Sequence, residues 1–156
     1  MKFDKFLKKV STYGQIVTVN GDSWLVCAGV GMIIPSGVIN LLGVGKAPES
    51  TSRIVEALVE ADKDDKVELI AASIKADGRP KDIVRIFGDP SGVNFDVNVG
   101  ISNNDFGLLE KSDVNLAEAE IIYENDENKE INEKYLMILD YEDELVGFIQ
   151  GVKEKE

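Results

Sequence analysis

The chain of 156 residues contains no histidine and a single cysteine, Cys27. The missing histidine removes Ser-His-Asp and Cys-His nucleophilic machinery, HExxH zinc sites and histidine-based pH switches. One cysteine excludes an intrachain disulfide framework and CxxC zinc sites. Without a histidine to activate it, Cys27 reads as a core residue. No apolar run approaches the roughly 18 residues that span a bilayer as a helix. The opening Met1-Lys2-Phe3-Asp4-Lys5 lacks the apolar stretch of a signal peptide. The expectation is a cytoplasmic protein.

What the chain has in excess is negative charge: 29 Asp and Glu against 17 Lys and Arg, a net −12. The excess is uneven. From Glu110 to Glu156 there are 15 acids and 5 lysines, and the rest of the chain is close to balanced. Residues 1–9 carry Lys2, Lys5, Lys8 and Lys9 against Asp4. A field of this sign repels free phosphate backbones and attracts basic protein surfaces, including those of nucleic-acid enzymes. The same charge also serves solubility.

Hydrophobic spacing predicts the elements. Phe3, Phe6, Leu7 and Val10 form one stripe of a short helix. Gln15–Val19 reads as a strand, Asn20-Gly21 as a hairpin turn that needs two left-handed residues, and Ser23–Ala28 as the return strand, with Trp24 and Cys27 in the core. Gly29-Val30-Gly31 reads as a bend or bulge before a strand over Met32–Ile34. Ser36 can cap a short helix over Gly37–Leu42. A second helix runs from about Ser50 to Asp62, burying Ile54, Val55, Leu58 and Val59. Strands follow over Val67–Lys75, Asp82–Phe87, Val93–Val99 and Glu120–Tyr123. A closing hairpin joins Lys134–Leu139 to Leu145–Ile149 around Tyr141–Glu144. The sum is an α+β fold: two or three short helices, mostly N-terminal, on a largely antiparallel sheet of about eight strands. Residues 1–152 are expected to form one domain, with 153–156 a frayed tail.

Chemical motifs fail on inspection. Gly45-Lys46 lacks the P-loop's first glycine, replaced by Asn40, and its hydroxyl, replaced by Ala47. Gly29-Val30-Gly31 has Ile34 and Pro35 where a dinucleotide fold needs a third glycine and a helix. Asp62, Asp64 and Asp65 resemble a calcium loop, but Val67 and Ser73 stand where it needs Gly and Glu. Asp126-Glu127-Asn128 fails likewise at Ile131. No catalytic, cofactor-binding or metal-binding residue is therefore assigned, and no cofactor is expected.

Two segments carry a family resemblance. The opening, Phe3-Asp4-Lys5-Phe6-Leu7-Lys8-Lys9 through Asn20-Gly21-Asp22-Ser23-Trp24-Leu25, resembles small accessory proteins encoded by bacteriophages. The ending, Tyr135–Asp140 followed by Leu145–Ile149, is similar to the last hairpin of DNA sliding clamps. The clamp resemblance implies a ring of α+β domains, acidic outside and basic on its inner helices. At 156 residues the chain is shorter than a full clamp protomer, and Glu56 and Glu60 stand on a helix where an inner face would want lysine.

The expected function is that of a non-enzymatic acidic binding protein. It would dock its C-terminal third, through Glu124, Asp126, Glu127, Glu130, Glu142, Asp143 and Glu144, on the basic surface of a nucleic-acid-handling protein, as a phage-type inhibitor or adaptor. One alternative is an oligomeric, clamp-like DNA accessory protein with Lys2, Lys5, Lys8 and Lys9 facing a duplex. Another is a carboxylate- and metal-dependent enzyme.

Overall fold

A computed structural model describes residues 1–10, 14–34, 45–46, 49–60, 66–68, 72–74, 83–87, 98–110, 115–124, 127–142 and 144–152. These residues form helix α1 (Phe3–Val10), strands β1 (Gln15–Val19), β2 (Asp22–Cys27), β3 (Val30–Ile34) and β4 (Gly45–Lys46), and helix α2 (Glu49–Glu60). Strands β5 (Lys66–Glu68), β6 (Ala72–Ile74), β7 (Ile83–Phe87) and β8 (Asn98–Ser102) follow. The one-turn helix α3 (Asn103–Phe106) leads to β9 (Asn115–Glu124), β10 (Glu130–Leu139) and β11 (Leu145–Gln150).

The larger sheet has eight strands in the order β4-β1-β2-β3-β11-β10-β9-β5, and the smaller has three, β6-β7-β8. All pairings are antiparallel except that of β1 with β4. The fold is α+β with a largely antiparallel sheet, as the spacing of apolar residues predicts.

The sheet's two faces are both covered. On the front, Val55 and Leu58 of α2 pack with Val17, Val19, Trp24, Val26, Ala117, Ala119, Tyr135, Met137 and Phe148. On the back, Phe6 of α1, Val99 and Ile101 of β8, and Leu108 and Leu109 pack with Leu25, Cys27, Val30, Leu116, Leu136, Ile138 and Ile149. Coverage on both sides explains the continuous apolar runs Trp24–Cys27 and Tyr135–Leu139, since successive residues enter opposite cores. A bulge opposite Ile138/Leu139 resets the alternation in β11, so that Leu145 and Phe148 both face α2.

Asn20 and Gly21 take φ of 52° and 85°, the two left-handed residues that the β1–β2 turn demands. The β2–β3 turn departs from the sequence expectation. It is made by Ala28 and Gly29, at φ 50° and 80°, and Val30 and Gly31 are already in β3. Gly31 sits directly opposite Phe148 in the β3–β11 ladder. A Cβ there would lie 2.2 Å from the Phe148 ring, so only glycine lets the ring lie flat across β3. That ring also meets Trp24 (centroids 6.0 Å apart) and, edge-on, Tyr135 (5.9 Å). Trp24 Nε1 is buried without an acceptor among the described residues, a cost that burial of its large ring offsets.

The single strand expected over Val67–Lys75 is instead two short strands in different sheets: β5 pairs with β9, and β6 with β7. Strands of three residues are too short to show a period. The single helical turn α3 is capped by Ser102, whose Oγ accepts the Asp105 N–H at 3.1 Å. The helix expected over Gly37–Leu42 and the tail 153–156 lie outside the described residues.

The Gly31–Phe148 contact predicts a coupled pair. Gly31→Ala should destabilise the protein by about 1–3 kcal/mol through overpacking. Phe148→Leu, which shortens the opposing side chain, should recover part of that loss in the double variant. Urea denaturation of the four proteins of the cycle measures both effects; additive losses would refute the coupling.

Candidate functional site

With both sheet faces covered, accessible chemistry gathers at the strand ends. At one end, a cleft of about 370 Å³ opens between α2 and the larger sheet. Its floor is Val26, Tyr135 and Phe148, and its helix wall is Thr51, Ile54 and Val55. Gln15, Glu133 and Gln150 supply polar groups, and Cys27 with the Ala28-Gly29 turn completes the lining described. The turn is held in place because the Gln150 N–H donates to the Gly29 carbonyl at 2.8 Å. The Gln150 side chain lies so close to Gly29 that a Cβ there would be 2.5 Å from its Oε1. The Tyr135 hydroxyl donates to Glu133 Oε2 at 3.1 Å, which orients the carboxylate at the edge of the aromatic floor. Nothing in the sequence marks this cleft. Its polar residues come from β1, α2, β10 and β11 and form no motif.

The acidic residues singled out in the sequence fall into two groups at opposite ends of β10. Glu124 and Glu130 are register partners at the β9–β10 end. Glu127 is exposed there and pairs with Lys129 at 3.6 Å, an open pair of small energetic weight. Glu142 and Glu144 are exposed at the β10–β11 end. Asp126 and Asp143 lie outside the described residues, as do the side chains of Glu124 and Glu130. Strand β10 has ten residues, which places the two groups about 30 Å apart at the rise of an extended chain. The acidic third thus presents two ends and not one face.

The β10–β11 tip is built on Asp140. Its Oδ1 accepts the backbone N–H groups of Glu142 (2.8 Å) and Glu144 (3.0 Å), and its own N–H donates to the Glu144 carbonyl at 2.9 Å. This closed turn presents Tyr141 to solvent at 95% exposure, beside Glu142 and Glu144. Sequence reasoning placed the acids at this tip but gave no role to Tyr141. The signal that would have found it is an aromatic residue inside a polar turn, where core packing does not call for one.

The lysines of α1 lie at the back of the sheet. Lys2, Lys5 and Lys8 are exposed, and the side chain of Lys9 is outside those described. Lys5 Nζ donates to the Gly107 carbonyl at 3.2 Å and the Lys2 N–H to the Leu108 carbonyl at 2.7 Å, tying α1 to the segment after α3. Among the described residues, no group of three or more His, Cys, Asp or Glu side chains is placed to hold a metal ion, and no helix is long and apolar enough to cross a membrane.

These features define an α+β protein whose chemistry sits at turns and strand ends. Compared with protein-family models, curated proteins and solved structures, the chain matches none.

The Asp140 turn yields a stability prediction. Asp140→Ala should cost about 0.5–1.5 kcal/mol by removing two exposed hydrogen bonds and should speed hydrogen exchange at Glu142 and Glu144. Asp140→Asn, which keeps an acceptor oxygen, should recover most of the protection. Equal exchange in all three proteins would exclude the role.

Proposed function

We propose that the protein is a non-enzymatic binding protein that docks its β10–β11 tip on a basic surface of a nucleic-acid-handling protein, in the manner of an inhibitor or adaptor. The observation that carries this reading is Tyr141, 95% exposed on a turn closed by Asp140 and flanked by carboxylates. Burial elsewhere leaves no folding reason for that ring to stand in water. Tyrosine is among the residues that most often dominate binding interfaces. Its two side-chain torsions and the closed turn keep the entropy cost of docking low. Glu142 and Glu144 select a basic partner, and the net charge of −12 speeds encounter with one. The group at Glu124, Asp126, Glu127 and Glu130 adds to the long-range field from the far end of β10.

The two ends are separable by experiment. Tyr141→Ala should weaken partner binding by about 30-fold or more with the melting temperature unchanged. The double reversal Glu142→Lys/Glu144→Lys should abolish binding, and Glu127→Lys/Glu130→Lys should slow association with a smaller loss. The readout is affinity capture from a bacterial lysate with stepwise salt elution, run in parallel on the native protein and the variants. Basic proteins retained by the native protein and lost from both tip variants are the expected result. Identical capture by all of them, or retention that salt does not affect, would overturn the reading.

A further inference from the structure

We infer that the cleft between α2 and the larger sheet is a binding site for an organic cation: a guanidinium or ammonium group carried on an apolar stem. The inference does not rest on the docking reading, since Glu133 and Tyr141 belong to opposite ends of β10. Three observations carry it. The first is size. A cleft of about 370 Å³ falls within the range of small-molecule sites, roughly 300–1,000 Å³. The second is the lining. Val26, Ile54, Val55 and Phe148 offer an apolar body, and Glu133 brings a carboxylate to its edge, oriented by the Tyr135 hydroxyl. Gln15 and Gln150 add side-chain carbonyl acceptors, and no lysine or arginine occurs among the described lining residues. The third is rigidity. The Ala28-Gly29 turn and its bond from Gln150 fix the mouth before any ligand arrives.

One feature opposes a cation. Thr51 lies in the first turn of α2, whose N-terminus carries about half a positive charge. The full charge on Glu133 outweighs it.

The ligand chemistry has two sources, a free small molecule or the side chain of an arginine or lysine on a bound protein. The test uses three probes of one shape and different charge, benzamidine, benzamide and benzoate, titrated into the full chain. Amide NMR shifts at Gly29, Thr51 and Gln150 are the readout, along with the fluorescence of Trp24, the sole tryptophan, which contacts Phe148. Benzamidine should bind roughly tenfold tighter than benzamide, the factor expected for one charge-assisted hydrogen bond, and benzoate should not bind. Glu133→Gln, which keeps an acceptor for Tyr135, should bring benzamidine down to the level of benzamide. Thr51→Trp, placed on the helix wall, should fill the cleft and block benzamidine without touching Glu133. Butylguanidine and N-acetylarginine amide then separate the sources. Tighter binding of the capped arginine points to a partner's side chain, and its exclusion while butylguanidine binds points to a free ligand. Equal binding of all three benzene probes, preference for benzoate, or shifts located away from the cleft would overturn the inference.

Discussion

The Phe148 ring lying across Gly31 is the contact on which the rest of the molecule depends. Six strands of the larger sheet form two antiparallel meanders, β1–β3 near the start of the chain and β9–β11 near its end. Among the described residues their ladders join at β3 and β11, through three residue pairs and the Gln150 N–H bond to Gly29. Three pairs of backbone hydrogen-bonding groups are a weak joint, because each bond is worth little net of water. The side chains strengthen it. Phe148 reaches over the one residue of β3 that has no Cβ and touches Trp24 of one meander and Tyr135 of the other. Burial of three aromatic rings makes the seam a core and not an edge. Helix α2 then lies against both meanders, since Val55 and Leu58 pack with residues of β1, β2, β9, β10 and β11.

The same seam decides where function is available. A sheet covered on both faces offers no open face to a ligand or partner, so polar chemistry is displaced to turns and strand ends. At one end the floor of the cleft is the Phe148–Tyr135 pair itself, and the packing that joins the meanders also shapes the cavity. At the other end the chain leaves the core at Leu139 and re-enters at Leu145, and the described residues between are exposed or half-exposed. The described acids Asp140, Glu142 and Glu144 lie in this exit because burying them would cost far more than leaving them in water.

Elements with a strong local signal were legible in the sequence. The stripe Phe3–Val10 gave α1, and Asn20-Gly21 set the β1–β2 turn and its register. The apolar spacing from Ile54 to Val59 located α2, and the last hairpin followed from its two apolar runs. Elements defined by tertiary partners were not. Ala28 in a left-handed conformation has no sequence signature, because alanine pays for that φ with no side-chain hydrogen bond to advertise it. Gly31 read as part of a bend, although its role is to make room for a ring 117 positions later in the chain. β9 is longer than its Glu120–Tyr123 stretch suggested. Its first half, Asn115–Ala119, is set by pairing with β5 and β10 and not by alternation. The cleft was invisible for the same reason: its lining is assembled by the seam from β1, β2, α2, β10 and β11, which are distant in sequence.

Asp140 shows how a cluster of like charges divides its work. Among the described acids of the β10–β11 tip, it is the one whose carboxylate turns inward, onto the N–H groups of Glu142 and Glu144. An oxygen engaged by two backbone donors has little left to offer a partner. Its negative charge therefore serves the turn, in the way an Asx residue nucleates a loop. Glu142 and Glu144 contribute only their backbones to that turn, so their carboxylates stay in solvent. The geometry that satisfies Asp140 leaves Tyr141 exposed to solvent, next to the exposed Glu142. Composition alone counts these acids as equivalent. The hydrogen bonds divide the described ones into Asp140, which builds the turn, and Glu142 and Glu144, which face whatever the turn meets.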